Sequence, residues 1–195
     1  LSLNFAENLL KHRDDRPAII SKIEDHSAKT ITYSQLFIEV EKLASSLREL
    51  GLKKGDRVAG FLPNIPEAVI AMLATTSIGA IWSSSSPDFG IKSVTDRFSQ
   101  IEPKIIFSAS AYLYNGKSFS SLDKLKEIVK ELPTLEHVII VDYLNVEPDI
   151  SEVPNSITYE DILTNDPQPL TFEYVPFDHP LYILYTSGTT GLPKS

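Results

Sequence analysis

With 195 residues, 42% of them apolar and 23% charged, the chain has the makeup of a soluble globular protein, long enough to bury a core as one domain or one and a half. Its net charge of −8 argues against nucleic acid as a partner, because phosphate backbones are bound by an excess of Lys and Arg. The absence of cysteine excludes a disulfide framework and a thiolate zinc site and fits a reducing compartment such as the cytosol.

The opening segment, LSLNFAENLLKHRDDRP, lacks the basic start and unbroken apolar run of a signal peptide. It also lacks an initiator methionine, so the expectation is a piece of a longer protein. Short strands are predicted at Ala18 to Ile23 and Lys29 to Thr32, around an exposed turn at Glu24 to Ala28. Thr32 and Gln35 form a capping-box pattern. They open a helix marked by Tyr33, Leu36, Phe37, Val40, Leu43, Ala44, Leu47 and Leu50, which Gly51 stops.

Arg57 to Leu62 reads as a strand, followed by a helix that Pro66 opens and Glu67 suits through the dipole. This helix is apolar almost all round and is expected to be buried. The uncharged stretch from Ala68 to Trp82 is too short and too mixed with hydroxyls for a membrane span. A brief strand is predicted at Ala80 to Ser83 and a loop at Ser83 to Pro87. Next come a helix over Ile91 to Ile101, a strand at Lys104 to Phe107, a helix over Leu122 to Leu132 and a strand at His137 to Val141. A short helix at Thr158 to Leu163 and a proline-rich irregular stretch, Asn165 to Pro180, complete the run. Strands alternating with helices predict an α/β fold, a mainly parallel sheet flanked by helices on both faces.

Asp88-Phe89-Gly90 spells a kinase metal-binding tripeptide, but no other kinase motif accompanies it. His12, His26, His137 and His179 are isolated and show no metal-ligand spacing. No metal ligands and no catalytic residues are therefore assigned within the chain.

The chemistry concentrates in the last fifteen residues, LYILYTSGTTGLPKS. An apolar run, Leu181 to Tyr185, leads into Thr186, Ser187, Gly188, Thr189, Thr190 and Gly191, closed by Leu192, Pro193 and Lys194. Glycines let the backbone bring N–H groups close to an anion, hydroxyls add donors, and Lys194 adds positive charge. Such charge-assisted hydrogen bonds are worth about 1.5–3 kcal/mol each. The loop is not a Walker A motif, because Pro193 stands where the second glycine of that motif would have to be. In a parallel sheet, a loop leaving a strand at this point lies at the carboxyl ends of the strands, where ligands bind.

TSGTTGLPK matches the phosphate-binding loop of the adenylate-forming superfamily of acyl-CoA synthetases, peptide-synthetase adenylation domains and luciferases. The segment from Gly55 to Gly90 (GDRVAGFLPNIPEAVIAMLATTSIGAIWSSSSPDFG) resembles the acetoacetyl-CoA synthetase branch of it. So do Thr95 to Phe98, Gln100 to Lys104, the opening LNFAENLL and Tyr112-x-Tyr114-Asn115-Gly116-Lys117.

The resemblance implies that residues 1–195 form the N-terminal portion of the large AMP-binding domain, cut just after the phosphate loop. The C-terminal domain of the same chain would then be missing, and this piece alone inactive. It further implies ATP, Mg2+ and CoA as cofactors or co-substrates and acetoacetate as the acid. Thr186, Ser187, Gly188, Thr189, Thr190, Gly191 and Lys194 would hold the nucleotide phosphates. Gly116 and Lys117 would meet CoA, with Tyr114 departing from a second basic position of the relatives. Another short-chain acyl-CoA synthetase, acetyl or propionyl, and a non-catalytic module of the same fold remain as alternatives.

Overall fold

The computed structural model describes residues 1–24, 28–145, 147–164 and 166–186. In chain order the elements are β1 (Ser2–Leu3), α1 (Phe5–Leu9), β2 (Pro17–Ser21), β3 (Lys29–Thr32), α2 (Tyr33–Glu49), β4 (Arg57–Phe61), α3 (Pro66–Ser77) and β5 (Ile81–Ser85). There follow α4 (Ile91–Ile101), β6 (Ile105–Ala109), β7 (Ala111–Tyr114), β8 (Lys117–Ser120), α5 (Leu122–Lys130), β9 (His137–Val141), β10 (Ser156–Thr158), α6 (Tyr159–Ile162), β11 (Val175–Pro176) and β12 (Tyr182–Ile183).

Six strands form one sheet in the order β10-β9-β6-β4-β5-β12. Every neighbouring pair is parallel, as the alternation of strands and helices predicts. Side chains on successive strand residues point to opposite faces, and the core divides accordingly. Val58, Ile105, Phe107, Ile139 and Val141 pack with α2, α3 and α6. Ala59, Phe61, Ile106, Val138 and Ile140 pack with α4 and α5 on the other face. A sheet buried on both sides needs apolar residues in both registers, which is why HVIIV and IIF read as unbroken apolar runs.

The helices begin and end on chemistry visible in the sequence. Thr32 Oγ1 accepts the Gln35 N–H at 3.2 Å, and Gln35 Oε1 accepts the Thr32 N–H at 2.9 Å. Gly51 follows α2 with φ at +80°, a conformation that disfavours any residue with a Cβ. Pro66 stands at the first turn of α3, where its missing N–H costs nothing. Arg57 donates to the last carbonyls of α4, to Ile101 at 2.6 Å and Glu102 at 2.9 Å, and so ties the helix end to the start of β4.

Three differences from the sequence reading have physical causes. The serine run read as a loop from Ser83 is strand as far as Ser85, because Gly60 and Phe61 pair with Ser84 and Ser85. Composition argued for a loop, and an adjacent strand with free backbone groups overrode it. Within the proline-rich stretch, Val175 and Pro176 pair with Ser2 and Leu3, a contact between distant segments that no local pattern announces. Residues 111–120 form a β-hairpin. Its Asn115-Gly116 turn is a strong hairpin signal, here read only for the charge of Lys117.

Gly60 is a close-approach glycine. A Cβ there would lie 2.6 Å from Cζ2 and 2.8 Å from Cη2 of Trp82. Gly60→Ala should therefore destabilise the protein by about 1–3 kcal/mol, the usual range for overpacking a tight core. Urea unfolding should show a lower midpoint at an unchanged slope. An unshifted midpoint would mean that the indole moves aside without cost.

Candidate functional site

Parallel strands all end on one side of the sheet, so their carboxyl-end loops share one rim. Strand β5 ends at Ser85 and delivers Ser86 to Gly90, after which α4 starts with Gly90 as its N-cap. Strand β6 ends at Ala109 and runs into the β7–β8 hairpin, and β9 ends at Val141 before Asp142. Edge strand β12 pairs with β5 through Tyr182–Trp82 and Ile183–Ser83, and the Ser83 hydroxyl donates to the Ile183 carbonyl at 2.9 Å.

Thr186, the first residue of the predicted phosphate loop, lies three residues past the end of β12 and is exposed. Ser187, Gly188, Thr189, Thr190, Gly191 and Lys194 lie outside the described residues. The structure describes the strand that precedes them, β12, at the edge of the sheet beside β5.

The approach to the loop is held by Arg97 and Tyr185. The Tyr185 hydroxyl donates to the Arg97 carbonyl at 2.9 Å. The Arg97 guanidinium lies 5.0 Å from the ring centre of Phe89 and 5.8 Å from that of Tyr185, within cation–π range. Burial pushes the Tyr185 phenol above its ordinary pKa, so it stays a hydrogen-bond donor through the physiological range. Phe89, from the kinase-like tripeptide, is thereby a packing partner of Arg97. Ser85 Oγ, at the end of β5, is buried without a hydrogen-bond partner.

A second group joins the same rim from the hairpin. Gly116 sits in the turn at φ +71° and Lys117 opens β8; both are exposed. The rings of Tyr112 and Phe119 stack across the two strands with centres 5.4 Å apart. Lys124 of α5 lies with Nζ 5.4 Å from the Tyr112 ring centre, 3.4 Å from the Tyr112 hydroxyl and 3.2 Å from the Pro87 carbonyl, to which it donates. One ammonium therefore joins the hairpin to the loop after β5. Neither Arg97 nor Lys124 was singled out from the sequence. Each lies on a helix whose charge pattern reads as solvated surface, and each has a partner distant in the chain, Tyr185 for Arg97 and Pro87 for Lys124.

The remaining candidates have structural places. The His179 ring contacts the Gly79 carbonyl through Nε2 at 2.9 Å, and His12 meets the Tyr33 ring edge-on at 5.5 Å. His26 lies outside the described residues. Among the described residues, no group of three or more His, Cys, Asp or Glu is arranged to hold a metal ion. No helix among them is long and apolar enough to cross a membrane.

Comparison with known proteins decides the family. The model of the AMP-binding enzyme family matches residues 5–195. The chain belongs to the AMP-binding enzyme family. Among curated members, it is 50% identical over 200 residues to the acetoacetyl-CoA synthetase of Macaca fascicularis, covering 98% of this chain and 30% of that protein. It is 42% identical over 205 residues to the malonamoyl-CoA synthetase of Penicillium aethiopicum, covering 98% of this chain and 28% of the relative. The solved acetoacetyl-CoA synthetase from Streptomyces lividans superposes with a TM-score of 0.90 at 44% identity, over 98% of this chain and 29% of that one. The chain thus spans about 30% of the length of the relatives it matches.

Proposed function

We propose that this chain is part of an AMP-forming acid–thiol ligase that activates acetoacetate and transfers it to coenzyme A. Half of its residues are identical to those of an acetoacetyl-CoA synthetase across nearly its whole length, and that observation carries the reading. The sequence TSGTTGLPK, which follows edge strand β12 in the chain, supports it. In this reading residues 1–195 are the N-terminal portion of the AMP-binding domain, working in the cytosol, and the remaining parts of the ligase complete the site.

The reaction runs in two steps. A carboxylate oxygen of acetoacetate attacks the α-phosphorus of ATP, the bond to the β-phosphate oxygen breaks, and pyrophosphate leaves. The sulfur of coenzyme A then attacks the acyl carbon, the bond to the AMP oxygen breaks, and AMP departs with the electron pair. Thr186 to Gly191 and Lys194 hold the β- and γ-phosphates and the charge that grows on leaving pyrophosphate, a task of positioning and electrostatics. Mg2+ would bind with the nucleotide and neutralise phosphate charge; no residue of this chain is assigned to it. Gly116 and Lys117 meet the phosphates of coenzyme A.

A second reading has a specific observation behind it, the malonamoyl-CoA synthetase relative. Malonamate and acetoacetate are both short acids with a carbonyl two carbons from the carboxylate, and differ only by an amino for a methyl group. Carboxylate-dependent ATP–pyrophosphate exchange with acetoacetate, malonamate, acetate, propionate and butyrate separates the readings. Acetoacetate should give the highest kcat/KM. A preference for malonamate, acetate or propionate would replace the acid and keep the chemistry, and no exchange with any acid would indicate a non-catalytic module.

Lys117→Glu should raise the KM for coenzyme A by about tenfold or more, since a charge reversal exchanges one surface attraction for a repulsion. The KM for ATP serves as the internal reference. An unchanged KM for coenzyme A would remove Lys117 from the site.

A further inference from the structure

The tip of the β7–β8 hairpin holds a contact that the hairpin itself does not require. Asn115 and Gly116 occupy the left-handed region at φ +51° and +71°, forming a two-residue turn whose strands pair through Tyr114 and Lys117. In such a turn the N–H groups of the two central residues lie outside the strand ladder. Here both donate to one side chain from the far part of the chain. Glu24 Oε1 accepts the Asn115 N–H at 3.3 Å, and Oε2 accepts the Gly116 N–H at 2.8 Å. Adjacent backbone N–H groups in a turn that converge on a carboxylate are a small anion seat. Lys117 is the next residue in the chain, opens β8 and is exposed.

We propose that this seat is an anion site which Glu24 occupies in the free protein and which a phosphate of coenzyme A takes over on binding. The inference rests on the reading of Gly116 and Lys117 as a coenzyme A contact, and gives that contact an internal competitor. A carboxylate and a phosphate present the same kind of oxygen to the two amides. The phosphate carries more charge and can also draw on Lys117. The Glu24 bonds are exposed to water, where charged contacts are weak, so a bound polyanion displaces the side chain readily. While Glu24 is in place, it joins the segment after β2 to the hairpin and keeps an otherwise open cationic tip covered. Displacement would release that connection when coenzyme A arrives, so the occupancy of the hairpin tip reports the state of the thiol substrate to the β2–β3 region.

The geometry distinguishes occupancy of the amides from bulk charge. Glu24→Ala removes both the charge and the contact. Glu24→Asp keeps the charge on a side chain one methylene too short to span both amides. In the full-length ligase, with the KM for ATP as reference, both variants should lower the KM for coenzyme A about three- to tenfold. Lys117→Glu should raise it in the same assay. A rise in KM for Glu24→Ala would make Glu24 a brace that shapes the site, and an unchanged KM would leave it without a role there; either overturns the proposal. A decrease for Glu24→Ala alone, with Glu24→Asp like the wild type, would assign the effect to field rather than to the amides and overturn it too. If Lys117→Glu has no effect, the coenzyme A reading of the hairpin fails first and takes the proposal with it. If Lys117→Glu raises the KM while both Glu24 variants match the wild type, only the competitor is lost.

Discussion

In the proposed ligase, replacing Lys194 by alanine should lower acetoacetate-dependent ATP–pyrophosphate exchange by about 100- to 1,000-fold, the usual cost of removing one preorganised group that meets charge developing in a transition state. As the bond to the β-phosphate stretches, negative charge moves onto the departing pyrophosphate. An ammonium fixed nearby gains interaction energy in that state beyond what it has with bound ATP. The effect should therefore fall on kcat more than on the KM for ATP, because differential binding of the transition state raises the rate while uniform binding does not. Lys194→Arg retains the charge but replaces a compact ammonium with a broad planar fork, and should recover only part of the rate. A loss below tenfold for Lys194→Ala would mean that the lysine lies away from the leaving group, and the loop would then be a support for the backbone alone.

How far the sequence reached depended on whether the signal was local. The capping box at Thr32 and Gln35, the stop at Gly51, the proline-led start of α3 and the apolar runs of β6 and β9 each show as a pattern within a few residues, and all can be read from the string. The parallel sheet followed from their alternation. Apart from the β7–β8 hairpin, whose Asn115-Gly116 signal is local, what escaped the reading involves partners far apart in sequence. Ser84 and Ser85 become strand because β4 offers them backbone groups. Glu24 meets residues 91 and 92 positions away, and Lys124 reaches the Pro87 carbonyl across 37. No periodicity marks such contacts, since a charged residue on a helix or turn has the same local pattern whether or not the fold brings it a partner. The TSGTTGLPK segment is the opposite case, since the signal for a phosphate loop lies within nine consecutive residues. The structure adds to it the strand, β12, that precedes Thr186 in the chain.

The other large effect is expected in the core. Phe107→Ala should cost about 3–5 kcal/mol of stability, the range for truncating a buried aromatic side chain to alanine. Phe107 is fully buried at the middle of β6, where it pairs with Gly60 on one side and Ile139 on the other. Its ring centre is 6.2 Å from that of Trp82, with the planes tilted by 51°. Trp82 belongs to β5, one strand further along, and reaches across the space that Gly60 leaves open. The three residues thus act as one unit: a missing side chain on β4 admits an indole from β5, which packs toward the phenyl ring of β6. Removing the phenyl ring leaves a cavity that the indole can fill only by moving off its place over Gly60. Domains of this kind are stable by about 5–15 kcal/mol in all, so the variant would lose a large share of the total. Urea unfolding should show a strongly lowered midpoint, and Phe107→Leu should lie between the variant and the wild type. A loss under about 1.5 kcal/mol, outside the usual range for such truncations, would show that Trp82 collapses into the space. In that event Gly60→Ala, which pushes the indole in the same direction, should cost less in the Phe107→Ala background than alone, a coupling that a double-mutant cycle measures directly.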